Sequence, residues 1–291
     1  MSAESARMMP AVGATAPTVT LDLEARPETL TLVRGMLAGV AELLTMDPEL
    51  LDDLKTAVSE ACNNVAIHAY PNGTGSVTVI LISTTEAIEI IVRDQGLGIT
   101  EQAASDDRVQ GVGLQVIRAL STKAEFRTRP EGGTEAWMRF SGKRAGRPLF
   151  EMPEAAVPDD GWSKQLSGDA VVSVSPVALL SGVLGRISRA LAATARFSLD
   201  RFSDVYLVTD AIAAHASKAS AGNRIAFAIT AGGRRLELVV GPFRKGSGRS
   251  LQADAAGESR SPLRMLSDEI ALIPSEGGEL LQVVMIDHRP A

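Results

Sequence analysis

The sequence predicts an α+β fold built twice along the chain, each unit a sandwich with a sheet on one side and helices on the other. Three observations predict it. Short β-branched runs alternate with stretches of helical periodicity, a Pro-, Gly-, Asp- and Lys-rich stretch without periodicity lies near the middle, and the same apolar pattern resumes beyond it. Residues 18–23 alternate apolar and polar as a strand does, and Leu30, Val33, Leu37, Val40 and Leu44 then recur at helical spacing. Asp47 as N-cap and Pro48 at the first helical position open a second helix, with Leu50, Leu54, Val58, Ala61 and Val65 on one face. Tyr70-Pro71-Asn72-Gly73 ends it. Residues 77–83 and 87–93 read as a hairpin, 114–120 as a third helix, and 126–129 with 135–140 as a final strand pair around Glu131-Gly132-Gly133.

The pattern then repeats. Leu180, Val183 and Ile187 mimic Leu30, Val33 and Leu37, and residues 205–210 echo the helix ending in Glu60. Residues 225–230 and 236–240 repeat the hairpin, and Glu276-Gly277-Gly278 repeats Glu131-Gly132-Gly133. The expected organisation is a mobile tail over 1–16, a first domain over 17–141, a linker over 142–169 and a second domain over 170–288.

Composition narrows the classes of function. The chain has 291 residues, 45% of them hydrophobic, with 29 Lys plus Arg against 35 Asp plus Glu and a net charge of -6. A chain with that balance and only 4% aromatic residues offers neither a basic stripe for phosphate backbones nor a stacking platform for bases, which argues against direct nucleic-acid binding. The single cysteine, Cys62, excludes an internal disulfide framework and a thiolate zinc site. No apolar run approaches the roughly 20 residues that span a bilayer, and no signal-type segment opens the chain. A cytoplasmic protein without membrane contact is expected.

Four local features carry chemistry. Glu60 and Asn64, four residues apart on a helix, share a face offset from the core stripe, so a carboxylate and an amide meet there. An amide oxygen suits a Mg²⁺ ion that keeps most of its waters, and a nearby carboxylate can accept a proton. Asp94-Gln95-Gly96-Leu97-Gly98-Ile99 closes a buried-looking strand, where Asp94 can accept from an exocyclic amine while two glycines let a flat ring approach the backbone. Gly111-Val112-Gly113 precedes the helix that begins near Leu114, placing backbone N–H groups where a polyphosphate could sit. Thr134 adds a hydroxyl just after the paired glycines. Singly each has a bland reading: a solvated helix face, a strand exit, loop punctuation, an ordinary strand threonine.

Together, in this order and on these elements, they resemble the nucleotide site of the GHKL superfamily, the histidine kinase-like ATPases with the Bergerat-type fold. The nearer resemblance is to the bacterial anti-sigma-factor serine/threonine kinases, through Ser59-Glu60-Ala61-Cys62-Asn63-Asn64 with Ile67-His68-Ala69-Tyr70, then residues 94–99, then Gly111-Val112-Gly113-Leu114. It spans roughly residues 17–141. The resemblance implies two tandem histidine-kinase-like sandwiches, the second degenerate, and ATP with Mg²⁺ as ligands of the first. It implies Glu60 as catalytic base, Asn64 as the Mg²⁺ ligand, Asp94 as adenine anchor, and Gly96, Gly98, Ile99, Gly111, Val112, Gly113, Leu114 and Thr134 as nucleotide contacts. Residues 100–110 would form an ATP lid, with Arg108, at imperfect spacing, toward the terminal phosphate. The implied function is phosphorylation of a STAS-type antagonist and sequestration of a sigma factor, with a non-catalytic ATP-gated switch as the alternative. A histidine kinase would need a phosphoacceptor on a dimerising helix, and His68, His215 and His288 lack that setting.

Matching the second unit to the first puts Asp210 for Glu60, Ala214 for Asn64, Gly241 for Asp94, Arg260-Ser261-Pro262 for Gly111-Val112-Gly113 and Glu279 for Thr134. That unit is therefore expected to bind no nucleotide. Because related kinases work as dimers, the alternatives are a homodimer or a pseudo-dimer within one chain.

Overall fold

The computed structural model describes residues 16–71, 73–84, 86–98, 112–141, 165–249 and 262–288. In chain order these form β1 (Thr18–Glu24), α1 (Leu30–Leu43), α2 (Pro48–Asn64), β2 (Ser76–Ser83), β3 (Ala87–Asp94), α3 (Val112–Leu120), β4 (Lys123–Thr128) and β5 (Thr134–Ser141). Beyond them come β6 (Ala170–Ser175), α4 (Leu180–Thr194), α5 (Leu199–Ala219), β7 (Ile225–Gly232), β8 (Arg235–Phe243), α6 (Pro262–Leu266), β9 (Glu269–Ser275) and β10 (Gly278–Ile286). From β6 onward the element types follow the same succession as from β1. The tail over 1–15 and the connection over 142–164 lie outside the described residues.

All ten strands join one sheet in the order β4-β5-β3-β2-β1-β6-β7-β8-β10-β9, and every pairing is antiparallel. Period-two alternation sends Val19, Leu21 and Leu23 of β1 into the main core, while Thr20 and Asp22 between them face away. In β3 the run Ile88, Ile90 and Val92 enters the same core, and Ile91 turns to the opposite face, where it packs with Ile82 and Trp137. Burial on both faces is why this strand reads as a continuous apolar run. The edge strand β4 carries Lys123, Glu125 and Arg127 in alternation, charges that discourage pairing with another chain. On α1, Val33, Met36, Leu37 and Val40 are sealed from water, each contributing about 1.5–3 kcal/mol by burial.

The sheet runs unbroken across the middle of the chain. Strands β1 and β6 pair with Val19 opposite Val174 and Leu21 opposite Val172, so the two halves share a seam rather than standing apart on a linker. Above this seam α1 crosses α4 at backbone distance. A Cβ on Gly39 would lie 2.1 Å from the Gly182 carbonyl oxygen, and one on Gly182 would lie 2.5 Å from the Gly39 carbonyl oxygen. Beside the crossing, Arg186 forms an ion pair with Glu42.

The sequence reading found no run of membrane-spanning length, yet among the described residues Val177–Thr194 is long and apolar enough to qualify. Half of that window is buried, with Leu180, Val183, Leu184 and Ile187 in the core, so here it acts as a core helix.

The glycine crossing yields a stability prediction. Gly39→Leu forces α1 and α4 apart and should cost at least about 2 kcal/mol, read as an earlier midpoint in urea unfolding, whereas the same change at Gly73, where nothing lies within 4 Å, should cost little.

Candidate functional site

The site begins at the N-terminus of α2. Asp47 caps it by accepting a hydrogen bond from the Glu49 N–H at 2.9 Å, with Pro48 in the first turn. Leu54, Ala57, Val58, Ala61 and Cys62 face the core, which leaves Glu60 and Asn64 half-buried on the flank of the helix. That flank meets the first turn of α3: a Cβ on Gly113 would lie 2.9 Å from Glu60 Oε2 and 3.6 Å from both amide heteroatoms of Asn64. The structure thus brings Glu60, Asn64 and Gly113 together. Beneath them buried Ser59 donates to the Lys55 carbonyl at 2.5 Å and accepts from Arg34 Nε at 2.9 Å.

After Asn64 the helix widens into a π-type turn, Val65–Ala69, which carries its end onto the loop leaving β3. There the backbones touch. The Ala69 carbonyl accepts from the Leu97 N–H at 3.1 Å, and a Cβ on Gly96 would lie 2.2 Å from that same carbonyl oxygen. Tyr70 Oη accepts from the Gln95 N–H at 2.9 Å and donates to the Ser76 carbonyl at 2.7 Å.

Asp94 ends β3 with only 4% of its surface exposed. A buried carboxylate must be hydrogen-bonded, and Oδ1 accepts from the Gly96 N–H at 2.8 Å and the Thr134 N–H at 3.1 Å. Its carbonyl faces the β4–β5 turn. There Arg129 Nη1 donates to it at 3.3 Å, and a Cβ on Gly133 would lie 2.1 Å from it. Gly98 holds φ +78, the left-handed region that favours glycine, beside the Thr128 methyl. On the other face of the sheet Glu135 binds both Arg93 and Arg127, so these cations are already matched by a buried carboxylate.

Of the residues singled out from sequence, Glu60, Asn64, Asp94, Gly96, Gly98, Gly113 and Thr134 fall on this arc of contacts. Thr134 engages through its main-chain N–H rather than its hydroxyl. Leu114 is half-buried on α3, and Val112 is 77% exposed at its start. Ile99, Arg108, Gly111 and the expected lid over 100–110 lie outside the described residues. Tyr70, Arg129 and Gly133 join the arc as well, although the sequence gives none of them a role in the site, Tyr70 standing there only as part of the motif that carries the resemblance. The glycine pair was the one signal pointing at Gly133.

In the C-terminal half α5 packs with a spacing comparable to that of α2. On α5 the buried residues include Val205, Val208, Thr209, Ile212, Ala213 and Ala216, in the spacing of Leu54, Ala57, Val58, Ala61, Cys62 and Val65. By that packing Ala211 stands for Glu60 and His215 for Asn64, one residue beyond the match read from sequence. Asp210 instead is exposed in a groove of about 240 Å³ lined also by Glu42, Arg186, Arg189 and Tyr206. Leu238 and Val240 fill the core face of β8, and a bulge then shifts the register so that Phe243 pairs with Glu279 and is buried in the core, its carbonyl oxygen 2.1 Å from where a Cβ on Gly278 would lie, as the Asp94 carbonyl lies from one on Gly133. His215 Nε2 is buried without a hydrogen-bond partner among the described residues, and burial lowers its pKa against the raising field of Glu279. Glu279 itself accepts from the Gly246 and Gly248 N–H groups at 3.0 and 2.6 Å.

Residues 23–140 match the model of the histidine kinase-like ATPase domain family. The serine-protein kinase RsbW of Bacillus pumilus is 32% identical over 138 residues, which cover 42% of this chain and 85% of the relative. RsbW of Bacillus licheniformis is 42% identical over 74 residues, covering 25% of this chain and 46% of the relative. RsbW of Bacillus mycoides is 32% identical over 79 residues, covering 27% and 49%. The chain therefore spans about half the length of two of these three curated relatives. The matched region holds Glu60, Asn64 and Asp94.

Beside this arc, burial pushes the Cys62 thiol up to about 12, which keeps it protonated and unreactive near neutrality. A thiol-titrating disulfide reagent at pH 8 should find no reactive group in the folded chain, and one after unfolding in guanidinium.

Proposed function

The chain belongs to the family of RsbW-type serine-protein kinases, whose histidine kinase-like ATPase domain its residues 23–140 match, and from that premise we propose that its N-terminal half binds Mg-ATP and phosphorylates a partner protein. One observation carries the reading: Glu60 and Asn64 abut a helix start at Gly113 while a buried carboxylate, Asp94, closes the far end of the same arc. Both hydrogen bonds to the Asp94 carboxylate from the described residues fall on Oδ1, so Oδ2 is the acceptor for the exocyclic amine of adenine. Gly96 and Gly98 keep the backbone bare beneath the ring. Gly113, with Val112 and Leu114, would hold the phosphates at the start of α3, where unpaired N–H groups favour anions, and Ile99, Arg108 and Gly111 complete the proposed nucleotide contacts.

The donors fit a hard, well-hydrated cation. No group of three His, Cys, Asp or Glu side chains among the described residues is arranged to hold a metal, and Asn64 offers a single amide oxygen, which suits Mg²⁺ shared with phosphates and water. Bound Mg²⁺ would supply charge neutralisation at the phosphates. Glu60, with Oε2 turned to the gap left by Gly113, takes the proton of the accepting hydroxyl.

The acceptor we propose is a Ser or Thr hydroxyl on a STAS-type antagonist, and the sequestered partner a sigma factor, in the cytoplasm. The C-terminal half serves as a degenerate second copy without a nucleotide site. Ala211, His215 and Phe243 lack the chemistry of Glu60, Asn64 and Asp94, and the Glu279 carboxylate already occupies the Gly246 and Gly248 N–H groups of the loop after β8. The shared β1–β6 seam supports a pseudo-dimer within one chain in preference to a homodimer.

Calorimetric titration should find one Mg-ATP site per chain, and light scattering a particle of one chain's mass. Glu60→Gln should lower transfer of the γ-phosphate to a STAS-domain acceptor by about 10²-fold or more while ATP binding persists. ATP uptake with no labelled acceptor under any condition would favour the ATP-gated switch, and no uptake at all would end the nucleotide reading.

A further inference from the structure

We propose that Tyr70 and Arg129 are positioning residues that set the aim of the Asp94 carboxylate, and so determine adenine recognition; this rests on the nucleotide reading above. The two side chains come from different elements and grip one peptide unit from opposite ends. Tyr70 Oη receives the Gln95 N–H at 2.9 Å, and Arg129 Nη1 donates to the Asp94 carbonyl oxygen at 3.3 Å. A peptide is planar, so fixing its N–H and its C=O fixes the plane that carries the Asp94 Cα, and with it the direction of the side chain.

The roles at Tyr70 are forced. A phenol has one proton, and Tyr70 gives it to the Ser76 carbonyl at 2.7 Å, so toward Gln95 it can only accept. The ring itself is locked, because it fills the space beside Gly75, where a Cβ would lie 2.1 Å from Tyr70 Cε1. On the other side Arg129 is steadied by an ion pair with Glu131, in the turn that rests Gly133 against the same carbonyl. Tyr70 follows directly on the π-type turn that extends the Glu60 and Asn64 helix, so it ties the catalytic end of the arc to the adenine end. The chain's other tyrosine, Tyr206, lies on the exposed side of α5, and Phe243 stands where the carboxylate would be.

A merely structural tyrosine and a positioning one differ in what their loss changes. Tyr70→Phe keeps the ring beside Gly75 and removes only the hydroxyl; water can reach the exposed Gln95, so the fold survives. In the full chain, calorimetric titration should show ATP affinity falling roughly three- to tenfold in Tyr70→Phe and in Arg129→Met, the scale of one hydrogen bond. ATP should lose most of its advantage over GTP, and the thermal midpoint of the ligand-free protein should hold. Unchanged ATP affinity in Tyr70→Phe, or ATP and GTP weakened equally, overturns the inference. Absence of ATP binding by the unaltered chain overturns the nucleotide reading first, and this inference with it.

Discussion

Two backbones cannot close within hydrogen-bonding range of each other's carbonyls where a Cβ stands between them, and the candidate site depends on glycines that remove that atom at two such places and clear room for side chains at a third. Gly96 lets the turn after β3 lie on the Ala69 carbonyl, Gly133 lets the β4–β5 turn lie on the Asp94 carbonyl, and Gly113 lets α3 start against Glu60. Each contact joins a different pair of elements. Without them the carboxylate, the amide and the helix start would belong to separate surfaces. With them, the end of α2, the end of β3 and the start of α3 form one wall, and Asp94 can be buried because that wall supplies its N–H partners.

The same device operates at the seam. Gly39 and Gly182 allow α1 and α4 to touch directly above the β1–β6 pairing, so helices and strands both continue from one half into the other. A seam made of main-chain hydrogen bonds and a glycine crossing tolerates little sliding, because a one-residue slip in the strands would turn every core side chain outward. The C-terminal half packs Val205, Ile212, Phe227 and Val283 into the same core.

The strands and helices were legible in the sequence because their signals are local: alternation in β1, the Asp47-Pro48 start of α2, the glycine pairs at the two late turns. Glu60, Asn64 and Asp94 were legible too, as residue types at a spacing on a helix and at a strand end. Tyr70 was not, since its hydroxyl meets Gln95 across a chain separation that no spacing rule spans. The mismatch at Asp210 has a plain cause. A helix turns about 100° per residue, so a match displaced by one position points a side chain at another neighbour. Sequence similarity around residues 205–210 could not see that, whereas the buried set Val205, Val208, Ile212 and Ala216 decides it.

By itself, then, the sequence determined the element types and their order, both of which depend on near neighbours along the chain. Tertiary structure alone decided that the halves share one sheet, that the Thr134 main chain rather than its hydroxyl serves Asp94, and which residue of α5 faces which partner. Those facts depend on which atoms are brought within a few ångströms by packing, a relation between distant segments that local periodicity does not encode.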